Sequence, residues 1–177
     1  MENITFIVDM QGITMNIAVN APSVPETIYL KDYTPPAFAV DNIHLDIQVY
    51  DDHTIVVGQL EVTRQNAGDL VLLGRDLELK SVSIDGNILS ADQYHLDAEQ
   101  LVIFNAPDKA VVRTEVVIHP ETNTQLEGLY KAAADLFVTQ NEPEGFRKIT
   151  FYPDRPDVLS VFTTRVEADK KIPCTFS

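Results

Sequence analysis

The chain has 177 residues, of which 45% are apolar, enough for a domain with a hydrophobic core and too many for a mostly disordered chain. Its 27 acidic residues against 13 basic ones give a formal charge of −14, and no stretch gathers lysine and arginine into a patch, which argues against nucleic-acid binding. No apolar run approaches the ~20 residues of a membrane-spanning helix, and the start lacks the basic leader of a secretory signal.

Residues 1–27 read as an amino-terminal extension that is poorly placed. Ile4, Phe6 and Val8 alternate as in a strand, yet the stretch could equally be loosely attached. A single domain is expected over 28–177, and Pro35-Pro36 impose an extended entry to it. From there the period is two. Ile43, Leu45, Ile47 and Val49 alternate with Asn42, His44, Asp46 and Gln48, the pattern of a half-buried strand. Asp51-Asp52-His53 makes a turn, and 55–62 is the simplest hairpin partner. Strands follow over 70–73 and 77–84, where Asp85-Gly86 is a strong turn signal because both positions tolerate positive φ. Segments 94–96, 101–104 and 111–118 continue the pattern. The expected fold is all-β, an antiparallel saddle- or sandwich-like domain with a few short helical turns.

The last third changes character. Residues 126–130 and the alanines of 132–134 read as irregular or briefly helical chain. Asp154-Arg155-Pro156-Asp157 predicts the start of a short helix with Asp154 as its cap. Phe162, Thr164 and Val166 then resume a strand.

The residues for independent chemistry are sparse. No two of His44, His53, His95 and His119 have metal-binding spacing, and they read as surface or turn residues. The one cysteine, Cys174, cannot form an internal disulfide and suits a reducing, cytoplasmic location. There is no Gly-rich phosphate loop and no serine elbow. Carboxylates are many, but spacing alone selects no catalytic pair. No catalytic residue and no metal or other cofactor site is therefore expected in this chain.

From residue 120 onward an ordered series of motifs carries more information. The chain reads Pro120-Glu-Thr-Asn-Thr-Gln-Leu-Glu-Gly-Leu-Tyr130, Thr139-Gln-Asn-Glu142, Glu144-Gly-Phe-Arg147, Asp154-Arg-Pro-Asp-Val158 and Ala168-Asp-Lys170. This series closely resembles the amino-terminal β-domain of the aminopeptidase N family, and Asp32-Tyr33 with Pro35-Pro36 resembles that domain's start. The resemblance implies a parent zinc metalloaminopeptidase whose zinc-binding His-Glu-x-x-His lies in a following catalytic domain absent from this sequence. The fragment alone is accordingly expected to be inactive.

Within the resemblance, Gln140 and Glu142 match family positions that bind the substrate's α-amine. A carboxylate in a closed, partly desolvated site can recognise a peptide's terminal ammonium. Without the resemblance, the two residues would read as an exposed polar loop, and Asn141 and Pro143 depart from the bacterial pattern. Arg147 and Arg155 read as structural, and Leu126, Leu129 and Tyr130 as core or interface packing.

The implied partners are a peptide amino terminus and the missing catalytic domain, with self-association possible where that domain's interface is exposed. The tail Ile172-Pro-Cys-Thr-Phe-Ser177 departs from the family's continuation in a way a one-base slip after the lysine codons would produce. The genomic reading frame past Ser177 tests that. The alternative reading is a free-standing, acidic β-sandwich interaction module. A carboxylate hydrolase is a third, without a motif behind it.

Overall fold

A computed structural model describes residues 9–10, 13–14, 27, 29–133, 136–142 and 144–168. The strand read around Ile4, Phe6 and Val8, the residue Pro143, and the tail with Cys174 lie outside the described residues. The chain divides into two compact units, Met1–Thr34 and Pro35–Ser177. In the first, β1 (Asp9–Met10) pairs antiparallel with β2 (Ile13–Thr14). A 3₁₀ turn spans Leu30–Asp32, where the Lys31 ammonium lies 5.0 Å from the Tyr29 ring centroid.

The second unit carries the expected all-β architecture. Its long hairpin joins β3 (Phe38–Val49) to β4 (Thr54–Arg64), with Ile43 opposite Leu60 and a bulge between Val40 and Asn42. Next come β5 (Leu70–Leu73), β6 (Glu78–Ile84) and β7 (Asn87–Ile88). The turn between β6 and β7 has φ of 49° at Asp85 and 82° at Gly86, the paired positive values of a tight hairpin. Asp85 is fixed further because its carboxylate accepts the Val111 N–H at 2.8 Å. The chain continues through β8 (Tyr94–Leu96), β9 (Gln100–Ile103) and β10 (Lys109–Ile118). It ends with β11 (Gly128–Ala133), β12 (Leu136–Gln140) and β13 (Val161–Ala168).

A six-stranded sheet has the order β13-β3-β4-β10-β6-β7, a three-stranded sheet the order β5-β9-β8, and β11-β12 form a separate ribbon. Among the described residues every pairing is antiparallel except that of β13 with β3, which is parallel and sets Phe162 beside Ile43. The two-residue period works as expected. Ile43 and Leu45 of β3, Val56 and Leu60 of β4, and Val112 and Val116 of β10 are buried in one cluster with Leu70, Leu72, Leu101, Ile103 and Phe151. Each such aliphatic side chain contributes about 1.5–3 kcal/mol by burial.

Three buried threonines, Thr54 of β4 among them, interrupt this apolar interior. Thr114 of β10 and Thr150 are fully buried, and their hydroxyls have no hydrogen-bond partner among the described residues. They flank Gly58 of β4, where a Cβ would stand 2.8 Å from Thr150 Oγ1 and 3.4 Å from Thr114 Oγ1. A buried unpaired hydroxyl costs about 1–3 kcal/mol. Thr114→Val is therefore expected to stabilise the chain by about 1 kcal/mol, read as a higher urea midpoint. A lower midpoint would mean that the hydroxyl is satisfied by a buried water.

The structure corrects the helical readings of the last third. Residues 154–158 form a turn closed by Val158 N–H to Arg155 O at 3.1 Å, without a helix. The Asp154 carboxylate accepts from Arg147 in place of capping, and Pro156 biases Arg155 away from helical backbone. Ala132 and Ala133 belong to strand β11, because the ladder with β12 outweighs alanine's helical preference. Leu129 is buried and Tyr130 half-buried as expected, but Leu126 is exposed, with φ of 61°.

Candidate functional site

The ribbon of β11 and β12 pairs Gly128 with Gln140, Leu129 with Thr139 and Tyr130 with Val138. Gln140 is the last residue of β12, and Asn141 and Glu142 follow it into an exposed tip. The tip has internal order. Gln140 Nε2 donates to the Glu142 carbonyl at 2.9 Å, and the Gly145 N–H donates to the Asn141 carbonyl at 2.9 Å. Glu144 takes φ of 67° to turn the chain back toward the body. Among the described residues, no cation lies within ion-pair distance of the Glu142 carboxylate.

Directly behind the tip, Phe146–Lys148 form a 3₁₀ turn in which Arg147 and Lys148 are both buried. Arg147 Nε meets Asp154 Oδ2 at 3.1 Å, its Nη2 donates to the Asp154 carbonyl at 2.9 Å, and its Nη1 stands 3.4 Å from Glu144. Lys148 Nζ lies 3.3 Å from both Asp76 and Glu127 and also bonds the Gln125 side-chain oxygen. Its three donors are thus matched by three acceptors, which is what allows an ammonium to sit inside the domain. Lys148 forms part of the wall of a cavity of about 310 Å³, together with His119, Asn123 and Leu129.

A second hollow, of about 560 Å³, runs from Thr139 and Asn141 along Phe146, Tyr152 and Phe162 to Leu45 and Val166. Phe146 meets Tyr152 edge-on at 5.2 Å and Phe162 at 5.6 Å. The Tyr152 hydroxyl shares a 2.7 Å bond with Ser160 Oγ, and burial pushes the Tyr152 phenol above its ordinary pKa. Phe162 nevertheless stays 48% exposed, so the hollow is apolar and open.

The structure brings Gln140 and Glu142 together at one tip. Arg147 is structural as the sequence indicated, and Arg155 bonds Asp157 at 2.8–2.9 Å in the turn. The histidines are dispersed. His53 bonds Asp52 at 2.7 Å, which holds the Asp52 carboxyl below its usual range; His119 stands 3.2 Å from Glu121, and His95 3.6 Å from Asp97. Among the described residues, no three His, Cys, Asp or Glu side chains gather in a way that could hold a metal ion. These residues therefore do not fit zinc. No helix among them is long and apolar enough to cross a membrane.

Residues 34–177 match the Peptidase M1 N-terminal domain, and the chain belongs to that family. It is 46% identical over 151 residues to the aminopeptidase N of Caulobacter vibrioides, covering 84% of this chain and 17% of the relative. To the Escherichia coli aminopeptidase N it is 40% identical over 148 residues, covering 82% and 17%. Among solved structures, Legionella pneumophila aminopeptidase A in complex with aspartic acid superposes with a TM-score of 0.70 at 27% identity, over 77% of this chain and 17% of the other. An M1 zinc metallopeptidase from Deinococcus radiodurans shares the fold, with a TM-score of 0.63 at 20% identity over 75% of this chain and 33% of that one. The chain thus spans about 17% of the length of the aminopeptidase N relatives it matches.

Proposed function

We propose that this chain is the amino-terminal domain of a cytoplasmic, zinc-dependent aminopeptidase, and that its 140–142 tip helps to form the subsite for the substrate's α-ammonium. The observation that carries the reading is the tip itself. Glu142 is exposed just beyond the end of β12, while the Gln140 side chain bonds its carbonyl and the Gly145 N–H bonds that of Asn141. An exopeptidase must detect a terminal positive charge, and a carboxylate with no competing cation among the described residues is free to do so. Zinc and the hydrolytic step belong, in this reading, to a catalytic domain elsewhere in the complete enzyme, and the chain alone is inactive.

In an aminopeptidase that carries this domain, Glu142→Gln is expected to lower kcat/KM for an aminoacyl-anilide by about 10- to 100-fold, since a hydrogen bond to a charged group contributes ~1.5–3 kcal/mol. The contact exists before and during reaction, so much of the loss should appear in KM. An unchanged kcat/KM would end the proposal. For the chain alone, turnover with stoichiometric zinc would overturn its assignment as a non-catalytic domain.

The alternative, a free-standing interaction module, draws on the open apolar hollow beside Phe162. Addition of an isolated aminopeptidase N catalytic domain separates the two readings. Tight docking or restored activity favours the enzyme domain, and indifference favours the module.

A further inference from the structure

Gly145 has φ of −77° and ψ of −21°, right-handed backbone that any L-residue adopts. Conformation therefore does not require glycine there; space does. A Cβ at this position would lie 2.2 Å from the Gln140 carbonyl oxygen, 3.0 Å from Asn141 Cα and 3.0 Å from the Gly128 nitrogen. All are backbone atoms, which cannot rotate aside as a side-chain end could. Relief of the closest contact requires roughly 1 Å of movement to approach ordinary van der Waals separation.

The question is which side moves. Behind Gly145 the chain is clamped. A Cβ at Gly128 would already be 2.8 Å from Lys148 Cβ and 3.1 Å from the Gly145 carbonyl oxygen, so the start of β11 lies directly on the 3₁₀ turn. That turn is held through Arg147 by Asp154 and through Lys148 by Asp76 and Glu127. In front of Gly145 are the exposed end of β12, where Gln140 pairs with Gly128, and the tip beyond it. Strain introduced at 145 goes forward.

We infer that Gly145 is a positioning residue for the amine-binding tip: its missing side chain sets the height at which the body holds the Gln140 peptide, and through it the Glu142 carboxylate. This inference rests on the α-amine reading of Glu142. Misplacement by ~1 Å can cost up to about 100-fold in rate. The tip is exposed and yields in part, so about ten-fold is expected for Gly145→Ala.

The first arm of the test uses the chain as it stands. In ¹H–¹⁵N spectra, Gly145→Ala should shift the amides of Gln140, Asn141 and Glu142 and leave Val56 and Val112 in place. Unmoved tip amides overturn the inference. The second arm places residues 34–168 in the Caulobacter vibrioides aminopeptidase N in place of the matching segment, and measures Gly145→Ala, Glu142→Gln and the double variant on an aminoacyl-anilide. Each single variant should lose kcat/KM, and Gly145→Ala should add less than two-fold in the Glu142→Gln background. A purely structural effect would multiply fully and would overturn the inference. If Glu142→Gln alone costs nothing, the amine-subsite reading fails; if it costs ten-fold and Gly145→Ala nothing, only the positioning role fails. Should Gly145→Ala not fold, Asp154→Asn, which loosens the clamp on Arg147, replaces it in the same cycle with the same criterion.

Discussion

Arg147→Ala is expected to destabilise the chain by about 3–5 kcal/mol, the usual cost of removing one partner from a buried ion pair. The Arg147 side chain is only 10% exposed and that of Asp154 18%, so the pair is little screened by solvent. The guanidinium fork reaches both the carboxylate and the main-chain carbonyl of Asp154, and a third nitrogen approaches Glu144. Truncation would leave the Asp154 carboxylate with the Arg147 N–H at 3.2 Å and its carbonyl without the Nη2 donor. Lysine should not rescue the loss, because a compact ammonium lacks the planar fork that spans two acceptors. Urea denaturation of the wild type, Arg147→Ala and Arg147→Lys measures this. A loss below 1 kcal/mol would show that the pair behaves like an exposed one. Arg147→Met combined with Asp154→Asn should recover part of the deficit, since it removes the uncompensated charge along with its partner.

The role of Arg147 was legible in the sequence, but the identity of its partner was not. Asp154 stands before Arg155 and Pro156 in a pattern that also suits a helix cap, and local sequence does not say which donor arrives first. The same division runs through the fold. The alternation around Ile43, Leu45 and Val49 announces a strand because burial on one face has a period of two, and Asp85-Gly86 announces its turn because positive φ is a local demand. The parallel contact of β13 with β3 is different. It joins Phe162 to Ile43 across more than a hundred residues, and nothing in Val161–Ala168 distinguishes a parallel edge from an antiparallel one.

At the tip, the motif series singled out Gln140 and Glu142, whose identities carry the resemblance. Gly145 stands in the Glu144-Gly-Phe-Arg147 motif, but its packing role is not legible there. A glycine used for close backbone approach, with ordinary φ, leaves no mark in sequence beyond being glycine. Lys148 escaped for a related reason, since a lysine in sequence reads as exposed until Asp76, Glu127 and Gln125 are brought around it.

Phe151→Ala is the second change expected to cost about 3–5 kcal/mol, from the lost burial of a ring and the cavity it leaves. Phe151 is 1% exposed, and the residue after it is tied to β5 by paired bonds, Leu73 N–H to Tyr152 O at 2.8 Å and Tyr152 N–H to Leu73 O at 3.1 Å. The ring lies against the backbone of Gly74, where a Cβ would fall 2.3 Å from Phe151 Cε1 and 2.4 Å from Cδ1. Gly74→Ala should therefore destabilise on its own, by about 1–3 kcal/mol, through overpacking. In the Phe151→Ala background the same methyl group enters the vacated space. Its cost should vanish or reverse, giving a coupling of about 1–3 kcal/mol in the cycle of urea measurements. Additive effects would mean that the ring and Gly74 do not meet in solution. The consequence extends to the tip, because only Ile149 and Thr150 separate the 3₁₀ turn at Phe146–Lys148 that backs Gly145 from Phe151 along the chain. Loosening Phe151 should accordingly speed hydrogen exchange at the Gly145 amide, which donates to the Asn141 carbonyl, as well as in the core, whereas a core substitution away from that turn, such as Ile103→Val, should affect the core amides alone.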